Sequence, residues 1–124
     1  MLEAAILCLA QNIYFEARDQ DLMGQMAVAE VTMNRVDSPR WPDDVCGVVW
    51  QDKQFSWTHD GKSDRMYNEK ARHLAMQLAD AYVNARIESF LTEGATHYHS
   101  YKVNPYWASK LQPTVTIGYH TFYK

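Results

Sequence analysis

The chain has 124 residues, a net charge of −3 at pH 7 and 47% hydrophobic residues. That predicts one domain with an apolar core of its own and argues against a disordered chain. Without a basic excess or an apolar run of membrane-spanning length, neither nucleic acid nor the bilayer interior is an expected partner.

Residues 2–17 carry a helical stripe of Leu2, Ala5, Ile6, Leu9, Ala10, Ile13 and Ala17, ending in the polar run Arg18, Asp19, Gln20, Asp21. Stepping 100° per residue places Glu16 beside Leu9 and Ala5, at the edge of the stripe. A second helix, Leu22 to Val36, is apolar nearly all round and so predicted to be central. Residues Asp37 to Asp64, with Pro39, Pro42 and Gly61, read mostly as loop, with a short helix possible in DDVCGVVWQ. A third helix follows from Ala71, Leu74, Ala75, Leu78, Ala79, Tyr82 and Ala85. ATHYHSY and VTIGYHTFY, rich in β-branched and aromatic residues, predict a strand pair. NPYWASKL between them reads as loop or short helix. The class is α+β, helices first and a small antiparallel sheet after.

Cys8 and Cys46 are too few for a disulfide framework or a zinc knuckle. Both read as small buried hydrophobes, with a single bridge left open. Met1, Leu2 and Glu3 lack the basic segment of a signal peptide, so synthesis is expected in the cytoplasm. Any target outside then requires assisted release, of holin type or otherwise.

Glu16 has two readings. A carboxyl on an apolar face is costly to ionise, so it can hold a proton near neutral pH and serve as a general acid. The plainer alternative is an acid at a helix end bonded to Arg18 or Arg35, and spacing alone favours it. Glu30 also falls on an apolar side and reads as a buried tether to an Arg or Lys. His97 and His99 share one strand face and His120 lies on the other strand. Three imidazoles could hold zinc with a position open for water, or else line a polar cleft by hydrogen bonding. Gln54, Phe55, Ser56 and Trp57 alternate aromatic with polar groups, as a carbohydrate wall would, or as a loop pinned by two aromatic plugs. The same choice holds for Tyr98 and Trp107. No GxSxG elbow, HExxH pair or Gly-rich phosphate loop is present.

Together, IYFEAR, GQMAVAEVTMNRV, VCGVV, QFSW, ATHYHSYKVNPYWA and IGYHTFY resemble, in order and spacing, the SleB-like cell wall hydrolases. These are spore-cortex-lytic enzymes and related phage endolysins. The resemblance runs over essentially the whole chain. It implies a lysozyme-like catalytic domain that cleaves the MurNAc–GlcNAc backbone of peptidoglycan as a lytic transglycosylase, with Glu16, in the Y-x-E-A-R block, as its essential acid. It also leaves Glu30 structural. The family block commonly continues EARGE, whereas this chain has EARDQ. The expectation is one catalytic domain over residues 1–124 with no separate wall-binding domain, acting as a monomer without metal or cofactor. Gln54, Phe55, Ser56, Trp57, His97, Tyr98, His99, Trp107 and His120 are its candidate glycan contacts. The rivals are a zinc-dependent peptidoglycan amidase or peptidase on His97, His99 and His120, and a non-catalytic glycan-binding module.

Overall fold

The computed structural model describes residues 2–51 and 54–124. Helix α1 (Leu2–Ala17) buries Leu9, Ala10, Ile13 and Ala17, the stripe read from its spacing. Its partners are α2 (Leu22–Val36), the short α3 (Val45–Val49) and α4 (Glu69–Val83). Each of those three begins at a side-chain cap: Asp21 accepts from the Gly24 N–H, Asp44 from Gly47 and Asn68 from Ala71. Such caps satisfy an orphan N–H and stabilise a helix start by about 1 kcal/mol. Asp21 is therefore occupied structurally.

The main core joins Leu9, Ala10 and Ile13 of α1 to Val45 and Val49 of α3 and Ala75, Leu78 and Ala79 of α4. The small α4 residues let α1 lie close. A second cluster sets Ala27 and Val31 of α2 against Phe122, Tyr98, Val115 and Ile117. Helix α2 thus lies between the helical layer and the sheet, as its all-round apolarity requires. No helix among the described residues is long and apolar enough to cross a membrane.

The sheet has three strands where the sequence suggested two. VTIGYHTFY is split into β2 (Pro113–Ile117) and β3 (His120–Tyr123) by a two-residue turn at Gly118 and Tyr119. Gly118 has φ 58°, a left-handed conformation that costs glycine little and explains why the apolar run folds back. The order is β1-β3-β2, all antiparallel, with β1 (His97–Ser100) at an edge. Short 3-10 turns at Ser56–His59 and Tyr106–Lys110 bring the two loops toward that edge.

Cys8 and Cys46 form a disulfide, their Cα atoms 5.3 Å apart across a separation of 38 residues. They are not the two free hydrophobes that the sequence favoured. The bridge ties α1 to α3, and closing a loop of that length is worth about 4 kcal/mol in the chain-entropy account. A pair of cysteines 38 residues apart carries no local signal. Packing alone brings them together.

Candidate active site

Glu16 sits in the last turn of α1, where the helix meets the inner face of β1. The Tyr98 hydroxyl donates to Glu16 Oε1 at 2.6 Å. Burial raises the Glu16 carboxyl pKa, offset in part by that hydrogen bond and by the Arg35 charge. Burial, and next the Glu16 charge, hold the Tyr98 phenol well above its ordinary range, so Tyr98 remains a donor throughout the neutral range. Neither Arg18 nor Arg35 bonds Glu16 directly: the Arg18 guanidinium lies over Tyr14 at 4.9 Å.

Two adjoining hollows of about 410 and 400 Å³ share Glu16, Gln54, Phe55, Tyr98 and Trp107. The first adds Arg35, His97 and Tyr106, and the second adds Ser56, His99 and His120. A third, of about 260 Å³, continues past Glu16 along Asp19, Gln20, Tyr101, Lys102 and Tyr119. Together they form a cleft with Glu16 near its middle, the shape a polymer lying across an acid needs. A larger hollow, about 580 Å³, lies elsewhere, between the C-terminal ends of α2 and α4. It borders Glu30, but both oxygens of that carboxylate are already engaged. They accept from the Ser89 hydroxyl at 2.6 Å, the Leu91 and Thr92 N–H groups at 2.8 and 2.7 Å, and the Thr92 hydroxyl. Glu30 is a tether, to loop amides and hydroxyls and not to the Arg or Lys expected.

The pleat decides the histidines. His97 pairs with Tyr123, Tyr98 with Phe122, His99 with Thr121 and Ser100 with His120. Paired residues share a face and neighbours alternate, so His97 and His99 stand on the outer face and His120 on the inner one, with Tyr98. Trp107 packs on the outer pair, 5.1 Å from His97 and 5.8 Å from His99, and His99 Nε2 meets the Tyr123 hydroxyl at 2.8 Å. The three imidazoles do not converge as a zinc set would. Among the described residues no three His, Cys, Asp or Glu are placed to hold a metal. The amidase reading loses its ligands.

Trp57 also departs from the reading as a carbohydrate wall. It is 5% exposed, stacks on Phe15 at 5.0 Å, and donates its indole N–H to Asn12 Oδ1 at 2.9 Å. The 3-10 turn sends Ser56 to the cleft and Trp57 into the core. Gln54, Phe55, Ser56, His97, Tyr98, His99, Trp107 and His120 all border the cleft. Sequence reasoning passed over Arg35 as a cleft residue. Its Nε donates to the Thr96 carbonyl at 2.7 Å, its Nη1 to Gln54 Oε1 at 3.3 Å, and its guanidinium lies over Trp41 and Phe55. A lone cation on an apolar helix was the available signal. Tyr106, in the second 3-10 turn, offered none, and Gln20 was marked only by the departure of EARDQ from EARGE.

Helices packed beside a small antiparallel sheet, with a carboxyl of raised pKa in the groove between them, define a lysozyme-like domain. The chain belongs to the Cell Wall Hydrolase family, whose model matches residues 19–123. The catalytic domain of the germination-specific lytic transglycosylase SleB from Bacillus anthracis superposes with a TM-score of 0.75 at 28% identity, covering 97% of this chain and 93% of that one. The catalytic domain of the Bacillus cereus SleB protein gives 0.75 and 28%, covering 98% and 91%. The spore cortex-lytic enzyme of Bacillus subtilis is 36% identical over 77 residues, 62% of this chain and 25% of that enzyme. That of Halalkalibacterium halodurans is 39% identical over 71 residues, 57% and 22%. The chain thus spans about a quarter of the length of these curated relatives.

Proposed function

We propose that this domain cleaves the glycan backbone of peptidoglycan between MurNAc and GlcNAc as a lytic transglycosylase, with Glu16 as its acid and then its base. The observation that carries the reading is Glu16 itself: a carboxyl whose pKa burial raises, bonded by a phenol, and opening onto a cleft lined with aromatic and amide groups. Its proton passes to the glycosidic oxygen as the C1–O bond breaks, leaving an oxocarbenium-like centre on MurNAc. Glu16, now a carboxylate, takes the proton of the sugar's own 6-hydroxyl while that oxygen bonds C1. The product is a 1,6-anhydro-MurNAc end, and no water is consumed. The superposed SleB catalytic domain, that of a germination-specific lytic transglycosylase, and the spore cortex-lytic relatives support the same class of reaction.

A two-carboxylate muramidase is the second reading. It needs another acid to activate water or to act as nucleophile, and Asp19, which shares the third hollow with Glu16, is the candidate. Asp21 is not, since it caps α2. Mass spectrometry of released muropeptides separates the two, because anhydro ends are lighter than reducing ends by one water. Anhydro ends, unaffected by Asp19→Asn, are expected. Reducing ends, lost with Asp19→Asn, would establish the muramidase. A protein that binds walls but releases nothing would be the glycan-binding module. We propose further that it acts on the wall as a monomer after assisted release from the cytoplasm, which sedimentation and fractionation of lysing cells would test.

A further inference from the structure

Gln20, one turn past Glu16, stands in a slot built by three segments. A Cβ at Gly24 of α2 would come within 2.8 Å of Gln20 Oε1, and one at Gly118 in the β2–β3 turn would collide with the same oxygen. Two glycines distant in sequence thus leave room for one amide. That oxygen accepts the Tyr119 backbone N–H at 3.2 Å. A backbone N–H can only donate, so the amide is oriented: its nitrogen is the atom 2.8 Å from His120 Nδ1. An amide NH₂ has no lone pair to offer, so Nδ1 must be the acceptor and the ring proton must sit on Nε2. Nε2 has no partner among the described residues and is not among their enclosed unpaired atoms. His120 borders both hollows that flank Glu16 on this side.

We propose that Gln20 is a positioning residue that fixes His120 as a neutral Nε2–H donor, and that His120 gives this hydrogen to a neutral oxygen of the bound sugar beside Glu16. The sugar part rests on the proposed function; the tautomer does not. His120 is faced by Glu16 and Asp19 from α1 and the turn after it, by Tyr98 and His99 from β1, by Tyr101 and Lys102 beyond it, and by Tyr119 from the hairpin turn. Burial keeps its pKa below the ordinary value, against the opposing pull of Asp19 and with help from His99. This chain departs here from the EARGE pattern. A carboxylate in the same slot would accept from Nδ1–H, favour the imidazolium, and on its loss of a proton leave Nε2 a bare acceptor.

The test uses ¹⁵N-labelled protein and the imidazole nitrogen spectrum of His120 between pH 5.5 and 8. The parent is expected to show the neutral ring, protonated on Nε2. Gln20→Glu is expected to raise the His120 midpoint and, above it, to move the proton to Nδ1. Should Gln20→Glu fail to fold, Gln20→Met empties the slot of polar atoms, and a mixture of both tautomers is the expected result. Binding of soluble glycan strands is measured in the Glu16→Gln background, where no strand is cut. The Kd should be flat with pH with Gln20 present. With Gln20→Glu it should rise roughly two- to tenfold as pH passes up through the His120 midpoint, the scale of one neutral hydrogen bond. A parent His120 protonated on Nδ1 or charged at pH 7, or an unaltered tautomer in both Gln20 variants, overturns the assignment. A shifted tautomer with unchanged Kd, or no strand binding at all, overturns the role toward sugar. Strands that bind normally but are never cut by the parent would sink the proposed function and leave this inference standing.

Discussion

Two carboxylates lie within the fold, and their surroundings assign them opposite work. Glu30 on α2 is 2% exposed and its two oxygens receive four donors from residues 89–92. Glu16 on α1 receives the Tyr98 hydroxyl and otherwise opens to the cleft. An acid saturated with donors cannot reach a substrate. One held by a single phenol, with its pKa raised by burial and an open side toward the cleft, is placed to give a proton to a substrate and take one back. Both stand on helix faces of similar apolarity, so the difference lies in what the tertiary neighbours supply.

The largest expected effect is Glu16→Gln, which preserves shape and removes the proton: wall-clearing activity should fall by at least about a hundredfold, the scale of general acid catalysis, with the fold intact. Undiminished clearing would refute the assignment. Glu30→Gln should do the reverse. An NH₂ in place of one oxygen would face two of the four donors and should destabilise the fold by roughly 3 kcal/mol, read from denaturant unfolding, while activity per folded molecule stays within a few-fold. A folded Glu30→Gln protein without activity would mean that the two acids have been assigned the wrong way round.

Tyr98→Phe tests the single donor. Turnover should drop about tenfold with KM little changed, as for loss of one charge-assisted hydrogen bond. Because that bond lowers the Glu16 pKa, its loss should move the alkaline limb of the pH–rate profile upward; a downward shift would contradict the geometry. The smallest effect is on stability against pH. Glu16 has a folded-state pKa above its unfolded one, so its contribution to stability is whole below the unfolded value and is lost as pH rises through the folded value. Glu16→Gln should therefore melt above the parent near pH 8 and match it near pH 4. A constant offset across pH would show that the carboxyl does not titrate as its burial implies.

The bounds of α2, the stripe of α1, the small residues of α4 and the order of helices before strands were all legible in the sequence, because burial of one helical face imposes a local period that neighbouring residues display. The six motif blocks marked Glu16 by resemblance, and helical spacing marked it as an acid at an apolar edge. Which of two apolar-edge acids opens onto the cleft was not legible. That depends on residues 89–92 reaching Glu30 and on Tyr98 reaching Glu16, at sequence separations of 59 to 62 and of 82. The strand count depended on one glycine turn. The failure of His97, His99 and His120 to converge depended on register, since a shift of one residue exchanges the faces of a sheet. Trp57 lay next to cleft residues in sequence yet packs in the core, because a 3-10 turn and the buried Asn12 amide draw it inward. The Cys8–Cys46 bridge and the Gln20 slot likewise join segments with no common local pattern. Period and composition decide which residues are buried; only the packed chain decides what each buried polar group meets.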